Sequence, residues 1–264
     1  MWHRSMAISP KISRNIVRVI FTGMLFFFPH FCEAQLIPFT NWEKPMPRIR
    51  GVGTTTNQAA GGSITVNKPA NVVAKDVLFA FIWNDKNLGA SATVTTPAGW
   101  TLLATAQSSG FTANQYRLSV YYRVSDGTDG ASYTWTFGAS QSYSTGTVVA
   151  YTDVDQVTPN DVAVQLSAVQ DMASTTQTNT GVTTTTKNAK ILSYYIDEST
   201  ASTLTSPAGF AQVASVKDTT NAMAFALYEK TQNGTGATGG IAATGFTTGS
   251  FKCYAGAVVA IRSR

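Results

Sequence analysis

Alternation of apolar and polar side chains with a period of two runs through much of this chain. In the segment 132–137, the aromatic residues Tyr133, Trp135 and Phe137 alternate with serine and threonine. The segment 117–124 alternates in the same way, whereas the segment 77–82 is apolar at every position. Successive side chains of a strand point to opposite faces of its sheet. The pattern therefore predicts half-buried strands around at least one central strand that is covered on both faces.

Few helix signals accompany this pattern. Threonine, serine, glycine, valine and tyrosine dominate, and these residues favour strands and turns. Turn-forming residues recur at 84–87, 125–130 and 233–236. We therefore predict an all-β protein, an antiparallel two-sheet sandwich of the jelly-roll or immunoglobulin-like kind.

The sequence also contains an internal repeat that keeps its order along the chain. PAGW at 97–100 returns as PAGF at 207–210, an offset of 110, and 146–151 matches 256–261 at the same offset. Two further matches are 74–79 with 188–193 at an offset of 114, and Tyr122 with Tyr228 at 106. We infer a pseudo-duplication with halves of about 51–155 and 160–264. The halves could form two sandwiches or one; we favour one domain over 51–264, because 162–166 has a strand pattern where a linker would otherwise lie.

The first 34 residues have the pattern of a secretory signal. Four basic residues precede an apolar run at 19–28, and Cys32-Glu33-Ala34 provides a small-x-small cleavage pattern. The run is too short to span a bilayer, so we expect a soluble mature chain with no transmembrane anchor, secreted to the extracellular space or the cell surface. Residues 35–50 then form an N-terminal arm.

Loss of this segment changes the charge and removes every histidine. The net charge of +5 falls to +2, which gives no reason to expect a nucleic-acid partner. Both histidines, His3 and His30, lie in the segment, so histidine-based nucleophilic catalysis and histidine-ligated metal sites are excluded for the mature chain. The remaining cysteine, Cys253, is expected to be a buried apolar residue rather than a reactive thiol.

Several of these motifs together resemble a known β-sandwich module. They are PAGW (97–100), YYRV (121–124), ASYTWTF (131–137), VVAYTDVD (148–155) and AVVAIR (257–262). The set is similar to a module of bacterial secreted and surface proteins and of phage structural proteins, in which a second PAG segment follows about a hundred residues later. The resemblance implies surface display, adhesion or recognition, and no catalytic residues.

Candidate ligand-binding residues are aromatic side chains that could stack on sugar rings. Trp83 ends a buried strand, Trp100 follows a turn, and Tyr121 lies on a polar-patterned face. We take these three as candidates for an exposed polysaccharide-binding surface, and packing as caps of the sandwich core is the alternative for each. The aromatic residues of 133–137 are instead assigned to the core, because they share one face.

Carboxylates offer a candidate metal site. Asp153, Asp155 and Asp161, with Asn160, supply oxygen ligands at a spacing that suits Ca²⁺. Asp126 and Asp129 form a second, smaller set. Because aspartate is also a common turn residue, a structural role is the alternative for both sets, and no other cofactor is expected.

The sequence thus favours a non-catalytic recognition or adhesion module whose partners are extracellular polysaccharide or surface proteins. The alternative is a structural subunit that self-associates through sheet edges, with the arm 35–50 added to a neighbouring sheet. A third hypothesis is a glycoside hydrolase using carboxylates such as Asp197 and Glu198.

Overall fold

The computed structural model describes residues 44–53, 56–87, 93–107, 114–170, 173–199, 201–219, 223–248 and 253–264. The predicted signal segment 1–34 and residues 35–43 of the predicted arm lie outside this range. Within it the protein is all-β and antiparallel, as predicted, and contains no helix. The described residues therefore include no helix that is long and apolar enough to cross a bilayer.

Sixteen strands are described, and residues from Lys44 to Arg264 form one compact unit. The strands are β1 (Arg48–Val52), β2 (Thr56–Asn67), β3 (Val77–Asn87), β4 (Val94–Thr95), β5 (Thr101–Gln107), β6 (Asn114–Val124), β7 (Ser132–Thr152), β8 (Gln165–Gln170), β9 (Thr176–Asn179), β10 (Thr183–Thr184), β11 (Ala189–Asp197), β12 (Ala211–Asp218), β13 (Met223–Gln232), β14 (Gly236–Ala237), β15 (Ile241–Thr244) and β16 (Cys253–Ile261). The prediction for the Cys253 side chain lies outside the described atoms.

Two large sheets carry the same strand order. The first sheet contains β1-β7-β3-β6-β5, and the second contains β8-β16-β11-β13-β12. Every pair of neighbouring strands in both sheets is antiparallel. Each half of the repeat therefore builds one sheet, and the predicted pseudo-duplication is confirmed in the topology.

The two sheets face each other across a shared core. Phe79 and Phe81 of the central strand β3 pack there with Leu192 and Tyr194 of the central strand β11. β6 lies against β16, and β5 lies against β8. Since both halves supply this core, neither sheet could bury its inner face without the other.

Each large sheet is also covered on its outer face. The first part of β7 pairs with β2 and β4, and this layer packs Trp135 and Ile64 onto the outer face of the first sheet. The pairs β9–β15 and β10–β14 cover the second sheet, with Val182 and Ile241 in the core between the layers. The predicted burial of Tyr133, Trp135 and Phe137 is confirmed, because they fill the first of these outer cores.

Equivalent glycines let the covering layers approach the large sheets. A Cβ on Gly146 of β7 would lie 2.7 Å from Val66 Cγ2 and 2.9 Å from Ile82 Cδ1. Gly256 is the counterpart of Gly146 at the offset of 110, and its Cβ would meet the side chain of Asn179. Such separations are shorter than van der Waals contact, so a side chain at either position would have to displace its neighbours.

Strand pairing corrects two of the four repeat offsets. Tyr151 and Ile261 are equivalent at the offset of 110. Val77 pairs with Tyr151 in the first sheet and Lys190 pairs with Ile261 in the second, so Val77 and Lys190 are equivalent and the β3-to-β11 offset is 113 rather than 114. In the same way, Leu102 and Gln212 are equivalent at the offset of 110. Leu102 pairs with Tyr121 and Gln212 pairs with Tyr228, so the β6-to-β13 offset is 107 rather than 106. A shift of one residue moves a side chain to the opposite face of the sheet. The sequence matches at the offsets 114 and 106 therefore aligned residues of the inner face of one sheet with residues of the outer face of the other.

The first strand begins within the segment assigned to the arm. β1 starts at Arg48 and pairs with β7 of its own sheet. The guanidinium group of Arg48 lies 2.8 Å from the Asp153 carboxylate, and that of Arg50 donates two hydrogen bonds to buried Asp76. Residues 48–50 are thus held on their own sheet.

Candidate functional site

The three aromatic candidates for sugar stacking are buried, which contradicts their exposure as a binding surface and agrees with the structural alternative. Trp83, Trp100 and Tyr121 are 2 %, 7 % and 2 % exposed, respectively. Trp83 lies in the shared core with its ring 6.4 Å from that of Tyr116. Trp100 and Tyr121 pack on Trp135 beneath the covering layer, with ring centroids 5.2 Å and 5.9 Å from it. The opposite large sheet buries Trp83, whereas the covering layer on the outer face of the first sheet buries Trp100 and Tyr121.

The carboxylates of the candidate calcium site are separately engaged. Asp155 accepts hydrogen bonds from the backbone N–H groups of Val157 and Thr158, and Asp161 accepts from those of Thr185 and Thr186. Asp153 pairs with an arginine of β1, as described above. In the part of the chain that the structure describes, no three acidic, cysteine or histidine side chains lie close enough to share an ion. The structure therefore does not bring the predicted ligand set together.

Their hydrogen bonds favour the ionised form of these carboxyl groups. The hydrogen bond from the Thr158 backbone lowers the pKa of Asp155 below its ordinary value, with a smaller effect of Arg262. For Asp161, burial opposes ionisation, but hydrogen bonds from the Thr186 and Thr185 side chains outweigh it, and its pKa is lowered as well. Both groups act as fixed acceptors that hold turns.

Asp126 and Asp129 also stabilise their own turn. Asp129 pairs with Arg123 at 2.5 Å and accepts a hydrogen bond from the Ser125 hydroxyl. Asp126 accepts hydrogen bonds from the backbone and hydroxyl of Thr128, which lower its pKa. Arg123 also donates to the carbonyl of Ala98 in the first PAG turn, at 2.7 Å. This cluster connects two turns of the first half.

A groove of mixed polar and apolar lining beside the edge strand β12 is one concave site formed by described residues. Its volume is about 180 Å³. The segment 202–204 forms one wall, and β12 forms the other. The polar groups of its lining come from Ser202, Thr203, Gln212, Ser215 and Lys217, and the apolar groups come from Leu204, Val216, Ala224 and Phe225. We call this site the β12 groove.

Internal hydrogen bonds fix the two walls of the β12 groove. The Lys217 ammonium group donates to the Ala201 carbonyl at 3.1 Å and contacts Thr203 Oγ1 at 3.2 Å. Gln212 Nε2 donates to Ser215 Oγ at 3.0 Å. The first wall is itself held by backbone hydrogen bonds from Thr203 to Gly245 and from Thr205 to Thr244.

A buried carboxylate supports the groove from behind. The Ser202 hydroxyl donates to Asp197, the last residue of β11, and the backbone N–H of Thr247 donates to the same oxygen at 3.3 Å. Asp197 is 0 % exposed, so it orients Ser202 rather than contacting a ligand. This burial is also unfavourable for the hypothesis that Asp197 acts as a glycosidase carboxylate.

The groove provides hydroxyls, an amide and an ammonium group on a fixed frame. These groups can donate to and accept from the hydroxyls of a sugar. The lining contains one aromatic residue, Phe225, which is 1 % exposed, and none of the three aromatic candidates from the sequence. Sequence reasoning missed Ser202, Thr203, Gln212 and Lys217. Their only shared signal is that they flank the second PAG turn on both sides, and that turn brings the two segments together. A comparison with protein-family models, curated proteins and solved structures finds no match to this chain.

Proposed function

We propose that this protein is a secreted, non-catalytic recognition or adhesion module that binds a hydroxyl-rich ligand, with extracellular polysaccharide as the ligand class. The observation that carries the proposal is the lining of the β12 groove, where a cation, an amide and several hydroxyls face one concave space. The export signal predicted from the sequence and the resemblance in the sequence support the proposed location outside the cytoplasm.

The chemistry of the groove suits a neutral or weakly acidic sugar. The Lys217 ammonium group can donate to a hydroxyl or a carboxylate. Ser202 and Thr203 can both donate and accept, as sugar hydroxyls do. A volume of about 180 Å³ accommodates a single sugar unit of a chain that continues across the surface.

A glycan array probed with the purified protein tests the ligand class. Titration calorimetry with the best array ligand then tests the site, using Gln212→Ala and Lys217→Ala. We expect each variant to weaken binding about tenfold, the loss of roughly one hydrogen bond to a charged or polar group. Circular dichroism checks that the variants keep the wild-type strand content.

The duplication offers a matched control. Gln107 occupies on β5 the position that Lys217 occupies on β12, at the offset of 110, and it lies outside the groove. Gln107→Ala should bind like the wild type. Absence of binding to every glycan, or equal loss in Gln107→Ala and Lys217→Ala, would overturn the proposal. Release of reducing sugar from a bound polysaccharide would contradict the non-catalytic part.

A structural subunit is the second candidate function. Its support is that four strands, β1, β5, β8 and β12, stand at the edges of the two large sheets and pair on that side with no other described strand. Open edges are templates for strand addition.

A further inference from the structure

The four sheet edges differ in charge according to the side of the sandwich on which they lie. β5 and β8 lie against each other on one side, and neither contains a charged residue. On the opposite side, β1 contains Arg48 and Arg50, and β12 contains Lys217 and Asp218. We call these the uncharged side and the charged side.

That β1 and β12 share a side follows from a contact between their neighbours. The hydroxyl of Tyr151, on β7, donates to Glu229, on β13, at 2.5 Å. β7 therefore lies over β13, and β1 and β12 are the next strands outward in their sheets.

The duplication makes the two sides comparable. β5 corresponds to β12, and β8 corresponds to β1, since the two sheets have the same strand order. β5 and β12 even share an irregularity: the register shifts between Leu102 and Ala104 on β5 and between Gln212 and Ala214 on β12. Backbone geometry is thus alike at these two edges, and the charged residues distinguish them.

Charged residues at an edge prevent pairing with another chain. The charged side has them on both of its edges, and the wall 202–204 of the β12 groove lies beside β12. The strands β5 and β8 lack them, and Leu102 of β5 is 48 % exposed. Two described charged residues adjoin this side. Arg117 of β6 donates to the Gln107 side chain at 2.8 Å, and Asp161, whose backbone N–H donates to Ala260 of β16 beyond the end of β8, accepts hydrogen bonds from Thr185 and Thr186.

We propose that the uncharged side is the interface through which two copies of this chain form a closed dimer. A two-fold axis perpendicular to the sheets pairs β5 with β5 and β8 with β8 of the second copy, both antiparallel. Every facing pair is then neutral, so a second copy meets no like-charge repulsion at these edges. The charged side of each copy stays outside the interface, which limits assembly to a dimer. This inference does not depend on the proposed function.

Sedimentation velocity of the purified protein at several concentrations tests this inference. Two variants place a lysine on the uncharged side: Leu102→Lys on β5 and Ala168→Lys, at an exposed position of β8. Ala211→Lys, also exposed, adds the same charge to β12 on the charged side and serves as the control. Circular dichroism and thermal unfolding of all three establish that they fold.

We expect a wild-type dimer whose dissociation constant rises at least about tenfold in both uncharged-side variants and is unchanged in Ala211→Lys. A wild-type protein that stays monomeric up to high micromolar concentrations would refute the dimer. A dimer that persists in both folded variants would place the interface elsewhere and refute the assignment. If either variant fails to fold, the other, at the same interface, decides the question.

Discussion

Phe81 and Tyr194 stack almost in parallel at the centre of the shared core, with ring centroids 5.0 Å apart and planes 13° apart. The two residues occupy equivalent positions on the two central strands. Their sequence separation is 113, which is the offset between β3 and β11 that the strand pairings of Val77 and Lys190 set. Because equivalent residues of the two halves contact each other here, the pseudo-two-fold axis that relates the halves passes close to this pair of rings. The halves are therefore joined through the residues that each buries most deeply.

Phe81→Ala tests the sharing of this core. Removing a fully buried phenylalanine costs about 3–5 kcal/mol of the free energy of unfolding. Since the ring contacts the second half, we expect both sheets to unfold in one transition at lower denaturant concentration, by circular dichroism and tryptophan fluorescence alike. Val157→Ala, at a residue 87 % exposed, should change stability by less than about 0.5 kcal/mol. Two separate transitions in Phe81→Ala would show that the halves fold independently.

Gly146→Ala tests the close approach of the covering layer. The added Cβ would overlap Val66 and Ile82, so we expect a loss of about 1–3 kcal/mol in chemical denaturation. Gly62→Ala is the matched control on β2, because a Cβ there meets nothing within 4 Å. Equal stabilities of the two variants would mean that the layers are not packed as described.

The hydrogen bond from Tyr151 to Glu229 joins the two sheets near one edge of the shared core. A bond to an ionised carboxylate contributes about 1.5–3 kcal/mol to stability, and a double-mutant cycle with Tyr151→Phe and Glu229→Gln measures the coupling. We expect a coupling free energy above about 1 kcal/mol. Additive effects of the two substitutions would indicate that the two side chains do not interact in solution.

Buried tyrosines make the fold sensitive to high pH. Burial raises the pKa of Tyr195 to about 12, and burial also raises that of Tyr228 to about 12, against an ordinary value of 10.0. A raised folded-state pKa means that the stability is fully present below pH 10 and is lost as pH rises towards 12, because the unfolded chain ionises first. We expect the denaturation midpoint to fall between pH 10 and 12, less so in Tyr228→Phe. A midpoint that is constant over this range would contradict the burial.

The period-two pattern and the repeat were enough to predict the fold class, since strand alternation is a local property. Two offsets were wrong by one residue, because the sequence matches had no signal for which face of the sheet each residue occupies. The exposure of Trp83, Trp100 and Tyr121 was wrong for a related reason. Alternation shows that a strand has two faces, but it does not show that Trp83 faces the second large sheet or that a further layer covers Trp100 and Tyr121.

The groove could not be predicted from local patterns. Ser202 and Lys217 are fifteen positions apart in sequence, and the PAG turn between them brings their segments together. Gly209 has a φ of 76° in that turn, and the Phe210 N–H donates to the Pro207 carbonyl at 3.0 Å. The same turn in the first half has Gly99 at a φ of 80°, yet β5 carries Gln107 where β12 carries Lys217. The two halves thus share a frame and differ in the chemistry of their edges.

Recognition at the β12 groove is the central claim. Mapping the amide chemical-shift changes of the protein on addition of the best array ligand tests it most directly. We predict that the shifted amides belong to residues 202–204 and to β12, and that those of β5, the equivalent strand of the first half, stay in place. Shifts centred on β5 or on the covering layers, or no shifts at saturating ligand, would contradict recognition at the β12 groove.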